Sequence, residues 1–403
     1  MAPTEKRFCY PWVLTMALAL AVHAQPVDCN VSNASPSATI ALPTRPFAAA
    51  VTRDGCWVFV SGQSGAASQK GIAVMKRAEG RVELSRLVPI GSPTGFGMAI
   101  THDGRLLVVA ASEIVVFLDV DRLISGAKDP VLGSFSDGKG AQSIYANITA
   151  DDKLLFVSDE KRQSITVIDL ERARANGYKA EAIVGAIPVG RDPIALTFSP
   201  DGKWLYTTSE LAPPDWNWPK ACKPERSVPP TAEIVNPQGA VIVVDVARAR
   251  TAPSQAVAAR IPAGCSPVRM TISPGGERIY VTARNNDAVL AFDTAKLLSD
   301  PEHARVGSVP VGTAPVPIAL IDDSRKLVVG NSNRFAGNTE PQSLVVLDPA
   351  KITLGGAAVL GTIPAGAFPR EMTVSADGHT LFLTNYGSQT LQVIDVARLP
   401  LSK

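Results

Sequence analysis

Charge is scarce in this chain. Asp, Glu, Lys and Arg make up 19% of its 403 residues, and the formal balance is only +2. No long basic run occurs, so nucleic acid is not expected as an electrostatically driven partner. Histidine is scarcer still, with four residues in all. His23 falls in an N-terminal leader, His102 and His379 fall at tight turns, and His303 falls in a connection. That distribution argues against a Ser-His-Asp or Cys-His nucleophile and against a His-rich zinc or iron centre. The five cysteines show no close Cys-x-x-Cys or Cys-x-x-His spacing, so no metal site is expected. Without Cys-x-x-Cys-His, no c-type haem is carried covalently, and no cofactor is called for. What the chain has in quantity is apolar residues, 46%, with 31 glycines and 32 prolines. That composition suits many turns joining buried strands.

Lys6 and Arg7 precede an apolar run from Trp12 to Val22, and Val22-His23-Ala24 offers a small-residue cleavage site. This is the pattern of a secretory signal peptide over residues 1–24, leaving Gln25 at the mature terminus. The run is short for a membrane span. No small-residue lipobox precedes Cys29. Export to a periplasm or the cell exterior is expected, with no membrane span once the leader is gone.

The rest of the chain repeats one phrase seven times. Its clearest copies are IPVGRDPIALTFSPDGKWLYTTS from Ile187, IPAGCSPVRMTISPGGERIYVTA from Ile261 and IPAGAFPREMTVSADGHTLFLTN from Ile363. Each copy has a tight turn between two apolar runs, at Asp54-Gly55, Asp103-Gly104, Asp151-Asp152, Asp201-Gly202, Gly275-Gly276, Asp323-Ser324 and Asp377-Gly378. Asp-Gly and Gly-Gly favour the positive φ angles of hairpin turns. A third run closes on Asp, as in Ile165 to Asp169, Val241 to Asp245 and Leu391 to Asp395, and a fourth leads into the next copy. Four short strands repeated seven times predict an all-β fold: a seven-bladed β-propeller of four-stranded antiparallel blades, one domain over residues 25–403. A solenoid of the same strands is the rival. The fourth copy carries an insertion over residues 210–239.

The ends supply the closure. The chain runs out soon after the third strand of the seventh copy, at Arg398-Leu399-Pro400, so that blade lacks a fourth strand. Ser37 to Pro43 has the look of it and is expected to pair onto the blade built from residues 363–399, leaving no open edge at the seam. Four mature cysteines permit three pairings. Propeller topology chooses among them. Cys29 and Cys56 fall on the face of the first hairpins, while Cys222 and Cys265 fall on the opposite face, where the chain enters each blade. The expected pairs are Cys29–Cys56 and Cys222–Cys265, which an exported protein tolerates. Four free thiols are the alternative.

The run Ile279-Tyr280-Val281-Thr282-Ala283, with Leu205 to Ser209 and Leu381 to Asn385, resembles the YVTN repeat. So do the Gly-x-x-Pro entry, the Ser-Pro-Asp-Gly turn and the later Val-Ile-Asp. The resemblance covers nearly all of the mature chain, most strongly in copies four to seven. It implies a propeller related to surface-layer and periplasmic members and to lactonase-like members. It specifies fold far better than activity, and no catalytic residue of the lactonase-like family carries over position by position. The lack of a WD dipeptide pattern makes WD40 propellers a poorer match.

Most repeated residues have structural explanations. Pro and Gly set tight connections, Thr suits a strand, and Asp169, Asp245, Asp293 and Asp395 can cap a helical turn. Function is therefore expected where the copies differ, on the blade-entry face. Near the axis the inner strands read Ala48, Gly97, Tyr145, Ala195, Arg269, Pro317 and Glu371. Tyr145, Arg269 and Glu371 break a rule of small residues. Arg45, Arg191, Asp192 and Arg370 lie in the same entry segments, and Arg284, Asn285, Asn331 and Arg334 lie in nearby gaps. Together they form a polar mouth suited to hydroxyls, carboxylates or amides. A merely solvated rim is the other reading. Trp216 and Trp218 in the insertion are placed either over this mouth as a lid or against their own blade. The function expected is that of a monomeric binding or scaffold module for a protein or a small polar ligand, a sugar or an acid. The alternative is a lactonase-like hydrolase using Glu371 with Arg269 as its clamp.

Overall fold

The structure, a computed structural model, describes residues 29, 33–63, 71–92, 94–224, 233–335 and 341–402. The leader expected at residues 1–24 lies outside them. Seven four-stranded antiparallel sheets form a ring, which makes the protein a seven-bladed β-propeller. The inner strands are Arg45–Val51, Met98–Ile100, Ser143–Ile148, Arg191–Phe198, Pro267–Ile272, Pro315–Ile321 and Pro369–Val374, in blades one to seven.

Burial explains the sequence pattern of each strand. Second strands such as Leu106–Ala111 and Thr380–Asn385 are buried at every position, because neighbouring blades cover both faces. They read as continuous apolar runs rather than alternating ones. Outer strands such as Val257–Pro262 have one face in water and alternate. The hairpin turn is a hydrogen-bonded unit. In blade four, the Ser199 hydroxyl donates to Asp201 Oδ1 at 2.5 Å and accepts from the Trp204 amide at 2.9 Å. Gly202 then takes a φ of 68°, which glycine adopts without steric cost. Two of the third-strand Asp residues cap the short helices after them: Asp169 accepts from the Arg172 amide and Asp245 from that of Arg248. Asp293 and Asp395 instead accept from the amides of Ala295 and of Ala397 and Arg398 in turns without capping a helix.

Ring closure agrees with the sequence reading. Ser37–Ala41 pairs antiparallel with the third strand of blade seven, with Ser37 opposite Ile394 and Ala41 opposite Thr390. Polar side chains lock the seam. Arg77, fully buried, donates to Thr380 Oγ1 at 2.8 Å, and Arg398 reaches both Asp395 and the Asn33 carbonyl. Disulfides join Cys29 to Cys56 and Cys222 to Cys265. No helix among the described residues is long and apolar enough to cross a membrane.

Candidate functional site

The axial channel is shaped by the stitches between blades. In five of the seven blades a Thr or Ser of the second strand (Ser61, Ser158, Thr208, Thr282 or Thr384) donates to an inner-strand carbonyl of the next blade, while Ala110 and Gly330 hold that position in blades two and six. Thr208 bonds Val268 O at 2.8 Å, Thr282 bonds Val316 O at 3.0 Å, and Thr384 bonds Phe47 O at 2.9 Å. Strand propensity alone accounts for a Thr at this position, so its bonding role does not show in the sequence. These bonds set the inner strands in a common register. At one level they carry Phe47, Phe96, Ile144, Ile194, Val268 and Val316, with Arg370 the only charged member. The next level carries the small residues together with Tyr145, Arg269 and Glu371.

Those three side chains close the channel partway down. Arg269 Nε donates to Glu371 Oε2 at 2.7 Å, across from blade five to blade seven, and the side chains are only 4% and 7% exposed. The guanidinium carbon lies 4.7 Å from the Tyr145 ring centre and 5.8 Å from that of Phe47. The two terminal nitrogens of Arg269 are buried against these aromatic faces without a hydrogen-bond acceptor among the described residues. Burial pushes the Tyr145 hydroxyl well above its ordinary pKa, and the neighbouring Glu371 carboxylate adds to the rise. Cation–π contact replaces part of the hydration that the guanidinium loses.

Above this floor lies the entry mouth. Arg370 is half-buried, its guanidinium carbon 4.3 Å from the Phe47 ring centre and 5.5 Å from that of Phe368. Among the described residues no acceptor hydrogen-bonds to it. Burial, with Arg269 and Arg334 adding repulsion, brings its pKa down to about 9. Arg284, buried, forms a two-pronged pair with Glu210. Asn285 donates to the carbonyls of Lys223 and Pro224 and so ties down the insertion. Asn331 is buried and donates to Ser343 Oγ. Arg334 stacks by Phe335 and Arg45 by Tyr386. Arg191 is exposed, and Asp192 beside it has a φ of 50°. The two tryptophans pack together, ring centres 5.2 Å apart, against the core shared by blades three and four. Arg260, on the outer strand of blade four, covers Trp216. The two tryptophans thus lean on blades three and four, while Cys222, Lys223 and Pro224 are tied to blade five.

Two acids of this mouth escaped the sequence reading. Glu160 and Glu210 occupy the position after the repeated YVTN-like run, where blade five has Arg284 and blade seven Tyr386. Comparing copies at that position would have found them. Glu160 accepts from the Gln142 side-chain amide at 2.9 Å. Burial, with Glu210 and Asp192 nearby, pushes it up to about 7 against the pull of Arg370.

Below the floor the channel widens into a cavity of about 810 Å³ that opens on the hairpin face, opposite the expected one. Met98, Met270, Met372, Leu196 and Ile318 line its wall, Tyr145 and Glu371 its inner end, and Asp151, Asp201 and Arg250 its rim. Among the described residues no group of three or more His, Cys, Asp or Glu is placed to hold a metal.

No family profile matches this chain, and no curated protein does. Among solved structures it is similar to a chain of Kuenenia stuttgartiensis hydrazine synthase, with a TM-score of 0.62 and 20% identity, covering 88% of this chain and 96% of that one. At that identity the likeness shows the propeller fold.

Proposed function

We propose that this protein is an exported propeller of the YVTN-repeat type, a binding module that takes a small acid at its blade-entry mouth. One observation carries the reading. Arg269 and Arg284 have carboxylate partners, whereas Arg370 sits on the axis with aromatic faces on two sides and no acceptor among the described residues. A partly desolvated guanidinium without a counter-ion is a strong seat for a carboxylate, because charge-assisted bonds gain most where water is thin. The phenyl faces hold its plane and leave its edge for the ligand. Two disulfides accord with an oxidising compartment and with the expected leader. Glu371 is engaged by Arg269 and close to Tyr145, which favours binding over general-base catalysis.

The test is calorimetric titration with mono- and dicarboxylic acids and sugar acids. Arg370→Gln should weaken the best of them by about 30-fold or more, the loss of a charged hydrogen-bond pair. Equal binding by wild type and variant would sink the proposal. Incubation with sugar lactones tests the hydrolase alternative: turnover by wild type that Glu371→Gln abolishes would replace binding with catalysis.

A further inference from the structure

The charged side chains of the entry mouth are sorted by side, apart from the exposed Arg191 on blade four and Arg284 on blade five, which is paired with Glu210. Blades three and four supply Glu160, Asp192 and Glu210, while blades six, seven and one supply Arg334, Arg370 and Arg45. In a ring of seven, blade seven stands across the axis from the junction of blades three and four. Arg370 therefore faces Glu160 over the channel. Each contributes to the other's proton affinity, yet among the described residues no hydrogen bond or ion pair joins them. Glu160 Oε2 takes the Gln142 amide, and its second oxygen has no protein donor among the described residues. Both groups are half-buried and so have given up part of their hydration. Glu210 is neutralised by Arg284, and Glu371 by Arg269.

We infer that the ligand of this mouth is a small zwitterion, lying across the axis with its carboxylate on Arg370 and its protonated amine on Glu160. The inference rests on the acid-binding reading above and adds the ligand's second end. A plain acid satisfies Arg370 but brings negative charge toward Glu160 and Asp192. A diacid does so twice over. An amine at the far end turns that repulsion into attraction, and discrimination of this kind comes from the penalty on the wrong partner as much as from the reward on the right one. The amine's contribution depends on Glu160 being ionised. Burial, Glu210 and Asp192 raise its pKa, while Arg370 and Arg269 lower it, to about 7 on balance. The preference for the amine is thus fully present at pH 8 and fades toward pH 6.

The experiment titrates the mature protein with ω-amino acids from glycine to 6-aminohexanoate, each beside the alkanoate of the same length. At pH 8 the best-fitting amino acid should bind about tenfold or more tighter than its alkanoate. Glu160→Gln should erase that difference and leave alkanoate affinity in place. In wild type the difference should shrink severalfold at pH 6, an arm that needs no variant. Equal affinity for both series, or an amine preference that survives Glu160→Gln, overturns the zwitterion and leaves acid binding standing. Binding of neither series, or binding unaffected by Arg370→Gln, overturns both.

Discussion

On the entry side of the Arg269–Glu371 pair, guanidinium and carboxylate groups line the axial channel. On the hairpin side, thioethers and branched aliphatic chains share the wall with uncharged polar side chains such as Asn147, Thr197, Thr271 and Thr373. The same seven inner strands build both. Arg269 and Glu371 are followed directly by Met270 and Met372, and Met98 stands at the same position in blade two. The charged half depends on particular partners at particular distances. On the hairpin side, the methionine and aliphatic positions depend mainly on volume, and polar neighbours such as Asn147 and Thr373 are spent on backbone carbonyls. Substitutions should therefore act very differently on the two.

The largest effect is expected at the floor that separates them. Arg269→Met leaves Glu371 buried without its counter-ion and should cost about 3–5 kcal/mol in urea unfolding. Arg269→Met with Glu371→Met should recover most of that loss, since the buried charge is then gone from both sides. A double variant as unstable as the single one would show that packing, not charge, holds the floor. Next comes the seam. Replacing Cys29 and Cys56 by Ser frees a loop with a sequence separation of 27 and should cost about 3 kcal/mol.

A smaller effect comes with a definite sign. Asp137 is buried, and burial, with Asp159 nearby, pushes it up to about 6 despite the hydrogen bond from Ser143. A carboxyl whose folded pKa lies above its unfolded value favours folding less as pH rises through that window. Asp137→Asn should therefore be more stable than wild type by roughly 2–3 kcal/mol at pH 8 and no more stable near pH 4. A pH-independent difference would remove the carboxyl as its cause. Smallest of all, Met270→Leu in the hairpin-side cavity should cost less than about 1.5 kcal/mol and leave ligand affinity at the mouth unchanged. A tenfold loss of affinity there would break the division of the channel into two halves.

The fold was legible because its determinants are local and repeated. Asp201-Gly202 needs only its own turn, and Ser37 to Pro43 has only one incomplete blade to join. The cysteine pairs could be assigned once each residue had a face of the disc. The candidate site was legible in part, through Tyr145, Arg269 and Glu371, which stand out against small residues at the same level. Glu160 and Glu210 were missed because they lie one residue beyond the run that defines the repeat. The hairpin-side cavity was missed for a different reason. Met98, Met270 and Met372 read as ordinary strand interior, and the space between them exists only because seven inner strands stand too far apart for these side chains to fill it.

Closing the ring with Ser37–Ala41 also has a consequence in time. Its partner strand is Thr390–Asp395, and Gln392 donates to Ser37 Oγ over a separation of 355 residues. The residues synthesised early are thus among the last to be used. This short strand can pair only once the third strand of the last blade is present. Contacts so distant in sequence are the slowest to make. Until the last blade arrives, the short strand's own edge is open to any other strand nearby. The rate at which this protein reaches its native state, and its loss to aggregation on the way, should therefore be set at the seam rather than in any of the six blades that complete themselves.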